Sequence, residues 1–242
     1  MDLKNNTADI EKVKSLYPSP DTVWPVDDPW HTKTFEMINN TVHTWLGALD
    51  ILPEHKVLNA GAGNTRYNIN CTKYDCDVSE SLLVDSDNPI IASIEDIPVS
   101  NSFFNGCICV GSVINYCDAA TVIGELSRVL SDDGFLILEF ESSDSAEFLF
   151  TKKYHKSVTS MIYSYNHTDH QLWLYSEAYI RSLLKASGLD IIKTDRFHTV
   201  SSLHYRCFKN QDKAAKYIKF DRLFHLISKD LAHNRILLCR KK

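Results

Sequence analysis

The sequence predicts an α/β fold in which strands ending in glycine or acidic residues alternate with helices. The apolar run Lys56–Ala60 leads into a loop with Gly61 and Gly63, as when a buried strand ends in a sharp turn. The next strand-like run ends at Asp77, and a later one ends at Gly111. Because open α/β sheets bind ligands at the carboxyl ends of their strands, these loops predict a binding site there.

Residues 1–55 are predicted to form an N-terminal arm followed by one helix. Four prolines between Tyr17 and Trp30 exclude a continuous helix in that span. The arm also carries Trp24 and is too apolar for a plain linker, so we expect it to pack on the body of the protein. Apolar residues at helical spacing predict a helix over His31–Leu49.

The remaining chain supplies further strands and helices. Six more strands are predicted, at Thr72–Asp77, Ile90–Ser93, Phe103–Val110, Phe135–Phe140, Leu189–Phe197 and Arg235–Cys239. Helices are predicted at Ala119–Leu130, Ser176–Ser187 and Gln211–His233, with a loop carrying His204 before the last of them. Only about 11 residues separate the first two strands, so their connection is expected to be a helix of one or two turns around Arg66–Asn70.

Residues 142–176 interrupt this alternation and are predicted to form an inserted cap over the strand ends. They are unusually rich in tyrosine and histidine and include Trp173. A dedicated aromatic cap favours the enclosure of a compact substrate over the tracking of a polymer.

Composition narrows the possible partners and location. The net charge of −5 and the pI near 6.0 give no support to a broad phosphate-binding surface, so nucleic acid is disfavoured as a partner. The N-terminal residues contain no apolar signal segment, and no apolar run is long enough to span a membrane. The seven cysteines lack C-x-x-C spacing, so we expect reduced thiols, as in the cytoplasm, and no metal. The protein is expected to be a monomer or a homodimer.

Three segments resemble motifs of the class I S-adenosylmethionine-dependent methyltransferases, specifically the small type 11 kind. Val57–Thr65 looks like the first motif of that family. Glu95–Pro98 with Ser102–Asn105 resembles its "acid, acid, aliphatic, Pro … Ser-Phe-Asp" segment. Leu126–Leu136 closely matches its "Arg-Val-Leu … Gly" passage from helix to strand, and the resemblance as a whole covers residues 56–143.

The resemblance implies a Rossmann-like, doubly wound sheet of seven strands with an antiparallel last strand. Residues 56–242 would form the domain that binds S-adenosyl-L-methionine. Three residues depart from the family pattern: Asn59 stands where an acid is usual, Thr65 replaces a third glycine, and Asn105 replaces an aspartate.

The resemblance also implies which residues contact the cofactor. Asp77 would accept the ribose hydroxyls, although it could instead cap a short helix at residues 78–80. Ser93 and Ile94 would contact adenine, or form an ordinary strand end. Tyr17 and Trp24 could close over the site or only pack the arm. The full cofactor-binding set is Asn59, Gly61, Ala62, Gly63, Asp77, Ser93, Ile94, Gly111, Ser112, Val113, Tyr17 and Trp24.

Methyl transfer to a hydroxyl or amine also requires a base, for which the sequence offers four candidates. Tyr116 and Glu141 follow predicted strands, and His167 and His204 lie in irregular segments. Each of them has an alternative structural role, and His167-x-x-His170 lacks a third ligand for a metal.

The resulting hypothesis is methyl transfer to an oxygen or nitrogen of a small polar acceptor. The acceptor could be a sugar, a nucleotide-linked compound or a secondary-metabolite intermediate. Transfer of another group such as aminopropyl, and binding without catalysis, remain alternatives.

Overall fold

The computed structural model describes residues 10–24, 27–165, 168–221 and 229–242. Six α-helices are present in these ranges: α1 Ile10–Leu16, α2 Pro29–Leu46, α3 Ala119–Val129, α4 Glu177–Ala186, α5 Val200–Phe208 and α6 Gln211–Ala215. Nine strands accompany them: β1 Lys56–Ala60, β2 Thr72–Asp77, β3 Pro89–Ile91, β4 Phe104–Cys109, β5 Leu130–Glu141, β6 Val158–Tyr165, β7 Thr168–Tyr175, β8 Leu189–Phe197 and β9 Asn234–Lys241. None of the described helices is long and apolar enough to cross a membrane.

Seven of the strands form one sheet in the order β3-β2-β1-β4-β5-β9-β8. The first five lie parallel to one another, whereas β9 is antiparallel to both of its neighbours. The predicted fold class is therefore confirmed, including the reversed last strand. The order reverses direction at β1 and β4, which creates a crevice at the carboxyl ends of these two strands.

Apolar side chains bury both faces of the sheet. One cluster joins α3 and α4 to one face and includes Ile123 and Leu184, which are both fully buried. The other cluster joins α2 to the opposite face through Ile38, Val42 and Trp45. Strands covered on both faces need continuous apolar sequence, which is why the runs at β1, β4 and β5 were recognisable.

The connection between β1 and β2 differs from the sequence prediction, because residues 61–71 contain no helix. Arg66 donates from its guanidinium to the carbonyl oxygens of Gly63, Thr65 and Leu82, at 3.0, 2.9 and 2.7 Å. Side-chain donors thus satisfy carbonyls that a helix would pair with its own N–H groups.

The region after β8 is more broken than the sequence predicted. The supposed loop around His204 is helix α5. Within the described residues, the predicted helix Gln211–His233 is divided into α6 and short 3-10 helices at Ile218–Phe220 and Lys229–Leu231. Residues 222–228 of that prediction lie outside the described ranges. By contrast, α4 begins after Ser176, whose hydroxyl accepts from the Tyr179 N–H as predicted for an N-cap.

Two segments outside the main sheet are placed near the strand ends. Strands β6 and β7 form an antiparallel hairpin within residues 142–176. The arm approaches the loop after β1, where the Asn64 side chain donates to the Pro20 carbonyl at 2.8 Å.

Candidate cofactor and acceptor site

The glycine loop after β1 turns back on the end of β2. The N–H groups of Gly61 and Ala62 both donate to the Cys76 carbonyl, at 2.8 and 2.9 Å. Gly61 has a φ of +70°, and a Cβ atom at this position would lie 2.3 Å from Cγ1 of Val113. The loop therefore requires glycine for its conformation and for the close approach of the segment after β4.

Asp77 at the end of β2 fastens the same loop from the side. Its Oδ2 accepts from the Gly63 N–H at 2.9 Å, and its Oδ1 accepts from the Ser79 N–H at 2.9 Å. Burial raises the pKa of Asp77 above its ordinary value, outweighing the hydrogen bonds that lower it. Each oxygen of a carboxylate can accept more than one hydrogen bond, so Asp77 retains acceptor capacity toward the crevice.

Asn59 supports the loop from beneath. Its amide donates to the Thr65 carbonyl at 2.9 Å and to Asp75 Oδ1 at 3.0 Å. Asp75 lies opposite Asn59 in the β1–β2 register and also accepts from Ser86 Oγ at 2.7 Å. The family pattern has an acid at the position of Asn59 on β1. Here the acid is Asp75 on the neighbouring strand β2, and the Asn59 amide links it to the loop.

The loop after β4 is held by a buried carboxylate on β5. Glu139 is fully buried, and its Oε2 accepts from the N–H groups of Gly111 and Ser112 at 2.9 and 2.7 Å. Burial raises the pKa of Glu139 to about 7, despite three hydrogen bonds that favour the charged form. Ser112 has a φ of +58°, so this contact maintains a left-handed residue at the edge of the crevice.

A single cavity of about 210 Å³ follows the strand ends from β2 to β9. Fourteen of the sequence-derived site residues line it: Tyr17, Trp24, Asn59, Gly61, Ala62, Gly63, Asp77, Ser93, Ile94, Gly111, Ser112, Val113, Tyr116 and Glu141. Of the other two, His204 does not line the cavity. His204 belongs to α5, where its ring stacks on Tyr217 at 4.4 Å, and His167 lies outside the described residues.

The β5–β9 end of the cavity contains an ionisable cluster of Glu141, Glu147 and His233. His233 Nε2 lies 3.3 Å from Glu141 Oε2, and His233 Nδ1 lies 3.9 Å from Glu147 Oε2. Burial opposes charge on both partners of the closer pair. Nevertheless, the hydrogen bond and the attraction between them lower the pKa of Glu141 and raise the pKa of His233. Burial raises the pKa of Glu147.

Aromatic residues from the arm and the hairpin close over this end. The hydroxyls of Tyr17 and Tyr116 lie 2.7 Å apart, and Tyr116 Oη lies 3.3 Å from His170 Nε2. Tyr163 on β6 also lines the cavity, with its hydroxyl 3.3 Å from His31 Nε2. The hydrogen-bonded hydroxyls connect the arm, the loop after β4 and the hairpin into one enclosing wall.

Sequence reasoning missed Glu147, His233 and Asn234, all of which line the cavity. His233 was placed at the end of a predicted helix, and Asn234 just before the last predicted strand. The reversal of β9 provides the explanation, because it pairs Asn234 with Glu141 at the carboxyl end of β5. The sequence did contain one signal for these residues. Because the last strand was expected to be antiparallel, its first residues had to lie at the carboxyl ends of the parallel strands. Among the described residues, no group of three or more His, Cys, Asp or Glu is placed to hold a metal ion.

No protein-family model matches the sequence, and no curated protein does. Solved structures of the same fold are numerous. A putative S-adenosylmethionine-dependent methyltransferase from Listeria monocytogenes matches with a TM-score of 0.61 and 12% identity, over 85% of this chain and 98% of the other. The magnesium protoporphyrin IX methyltransferase of Synechocystis PCC 6803 with bound S-adenosylhomocysteine matches with a TM-score of 0.60 and 17% identity, over 96% and 99%.

A third structure is similar along most of both chains. The 1,6-didemethyltoxoflavin-N1-methyltransferase of Burkholderia thailandensis, with 1,6-didemethyltoxoflavin and S-adenosylhomocysteine bound, matches with a TM-score of 0.57 and 15% identity, over 96% and 87%. With identities this low, the likeness concerns the fold. The strand order, the reversed β9 and these neighbours together show that the chain has the class I S-adenosylmethionine-dependent methyltransferase fold.

Proposed function

We propose that this protein transfers the methyl group of S-adenosylmethionine to an oxygen or nitrogen atom of a small polar acceptor. The observation that carries the proposal is one continuous cavity with two chemically different ends. One end presents the glycine loop and Asp77, and the other presents Glu141 paired with His233. Three strand steps at about 4.8 Å each separate β2 from β5, so the two ends are on the order of 14 Å apart.

The residues at the β1–β2 end fit an adenosyl group. Gly61, Ala62 and Gly63 line the crevice, and Asp77 can accept from a pair of neighbouring hydroxyls through its remaining lone pairs. Ser93 and Ile94 line the same side and would face the base. When bound, S-adenosylmethionine supplies an electrophilic methyl carbon on a sulfonium.

The residues at the β5–β9 end would handle the acceptor. Transfer of this methyl group to the acceptor heteroatom would leave S-adenosylhomocysteine and would require the acceptor to lose one proton. The proton released from the acceptor passes to Glu141, whose carboxylate His233 keeps ionised and oriented. Tyr17, Tyr116 and Tyr163 restrict water and hold the acceptor near the methyl group, which supplies much of the acceleration in such displacements.

Calorimetric titration with S-adenosylhomocysteine tests the cofactor half of the proposal. We expect Asp77→Asn to weaken binding by about 1.5–3 kcal/mol, the range for hydrogen bonds to a charged group. The exposed Asp50→Asn serves as a matched control and should leave the affinity unchanged. Equal affinity of folded Asp77→Asn and wild-type protein would remove Asp77 from the site.

Mass spectrometry of metabolite extracts treated with protein and methyl-labelled cofactor tests the chemistry. A labelled product that has gained one methyl group is expected from the wild type and not from Glu141→Gln. A product enlarged by an aminopropyl unit would indicate transfer of that group, and tight cofactor binding without any labelled product would favour a binding module.

A further inference from the structure

The β5–β9 end of the cavity contains a buried side-chain oxygen that receives no hydrogen bond from any described residue. Asn234 is 2% exposed, and its Oδ1 has no donor within the described part of the chain. Its amide nitrogen donates to Glu139 Oε1 at 2.8 Å. The two backbone N–H groups of Gly111 and Ser112 donate to the other oxygen of this carboxylate, Oε2, which leaves Oε1 for the Asn234 amide.

Two carboxylates line the same cavity as Asn234. Glu141 and Glu147 line the same end of the cavity and flank His233 on both sides. His233 carries at most one positive charge, which the adjacent Glu141 balances. Glu147 is therefore the excess acidic group of this cluster.

Cationic side chains that could neutralise an anionic acceptor are scarce here. Among the described residues lining the cavity, Lys14 is the only lysine or arginine, and its Nζ pairs with Glu11 Oε1 at 3.1 Å. Recognition of phosphate or carboxylate normally uses arginine or lysine donors. The described lining therefore disfavours the nucleotide-linked acceptors that the sequence left open.

Aromatic rings and one thioether also line this cavity. Trp30, Tyr116, Tyr163 and Tyr205 contribute aromatic rings, and Met161 adds a thioether. Such a lining suits a planar ring system, and aromatic faces also attract cations.

From these contacts we propose that the acceptor is an arylalkyl amine, without phosphate or carboxylate, whose N–H donors bind Asn234 Oδ1, Glu147 and Glu141. This inference rests on the proposed methyl transfer, since it specifies the acceptor of that reaction. Asn234 and Glu147 would then determine specificity, while Glu141 also receives the proton.

The test compares amines with carboxylates of matched ring structure. The full-length protein, saturated with S-adenosylhomocysteine, is titrated calorimetrically with tyramine, histamine and tryptamine, and with 4-hydroxyphenylacetate, imidazoleacetate and indoleacetate. At least one amine is expected to bind about tenfold more tightly than its carboxylate partner. The inference is overturned if each carboxylate binds as tightly as its amine, or if no amine binds at about 10 mM, a concentration sufficient for weak ligands.

Glu147→Gln tests whether the preference arises in this cluster. It should reduce the amine-to-carboxylate affinity ratio by roughly threefold or more, a change expected for the loss of one nearby charge. The exposed Glu54→Gln, far from the cavity lining, should leave the ratio unchanged. An unchanged ratio in Glu147→Gln would contradict the assignment.

Cofactor affinity is measured separately, so that the two proposals can fail independently. Binding of S-adenosylhomocysteine without binding of any amine would overturn the acceptor class alone. Binding of amines to a protein with no affinity for S-adenosylhomocysteine would overturn the methyl transfer and leave the amine site standing.

Discussion

Replacement of Gly61 by alanine should destabilise the protein in two separable ways. The backbone at Gly61 has a φ of +70°, a conformation that costs a non-glycine residue roughly 1–2 kcal/mol. The added Cβ would also lie 2.3 and 2.6 Å from the two γ carbons of Val113. Carbon atoms pack optimally at about 3.5–4.0 Å, and forcing them closer in a packed interior costs about 1–3 kcal/mol. We therefore expect a total loss of about 2–5 kcal/mol.

Chemical denaturation followed by circular dichroism would measure both parts. Gly188→Ala is a matched control, because Gly188 has a φ of +74° but no atom within 4 Å of an added Cβ. Gly188→Ala should lose only the stability that is due to the unfavourable backbone conformation. In the double variant Gly61→Ala/Val113→Ala the two γ carbons are removed, whereas the β carbon at Val113, 2.9 Å from the added Cβ, remains. A partial rescue is therefore expected, with a coupling free energy of at most about 1–3 kcal/mol in a double-mutant cycle.

Two results would refute this reasoning. If Gly61→Ala destabilised the protein no more than Gly188→Ala, Val113 would not lie against the glycine loop as described. If Val113→Ala showed no coupling with Gly61→Ala, the two γ carbons of Val113 would not account for the clash at Gly61. Either result would remove the steric reason for glycine at this position.

Three further substitutions test the buried features around the sheet. Gly106→Ala should lose about 1–3 kcal/mol of stability in urea titrations, because its Cβ would lie 2.2 Å from the Phe135 ring, and adding Phe135→Leu should recover most of the loss. Burial raises the pKa of Glu139 from 4.5 to about 7 in the folded protein, so its contribution to the free energy of unfolding is present below pH 4.5 and is lost as the pH rises to 7. The stability of the wild type relative to Glu139→Gln should therefore fall by about 3 kcal/mol over that interval. A difference that does not change with pH would contradict the burial of Glu139. Burial opposes ionisation of Glu177, but hydrogen bonds from Arg196 and Arg235 lower its pKa from 4.5 to about 2. Its contribution of about 3 kcal/mol to the free energy of unfolding is therefore present above pH 4.5 and disappears as the pH falls toward 2. Acid-unfolding curves of the wild type should show this loss, and those of Glu177→Gln should not.

Residues at the ends of parallel strands were predictable because their position depends on local sequence. An apolar run followed by Gly61, or ending at Asp77, identifies both the strand and its carboxyl end. All such ends meet at one edge of the sheet, so the crevice follows from topology alone. Glu141 was found in the same way, since it ends β5.

Residues brought to the site by the reversed strand were not predictable from local patterns. His233 and Asn234 precede β9, and only the antiparallel pairing with β5 places them beside Glu141. Apolar periodicity gives no information about the pairing partner of a strand. The position of His204 was not predictable either. Helix α5 forms where a loop was expected, and the His204 ring packs on Tyr217.

Asn59 shows why a departure from a family pattern must be judged in three dimensions. A second carboxylate at this position would lie about as close to Asp75 as the Asn59 amide does now, at 3.0 Å, and two buried like charges at that distance repel strongly. The amide instead donates to both Asp75 and the Thr65 carbonyl, which a carboxylate could not do. Since the β1–β2 register pairs Asn59 directly with Asp75, the negative charge is retained beneath the loop but is supplied by the neighbouring strand. The substitution is therefore consistent with an intact glycine loop, and its meaning depends on a pairing between residues sixteen positions apart in the sequence.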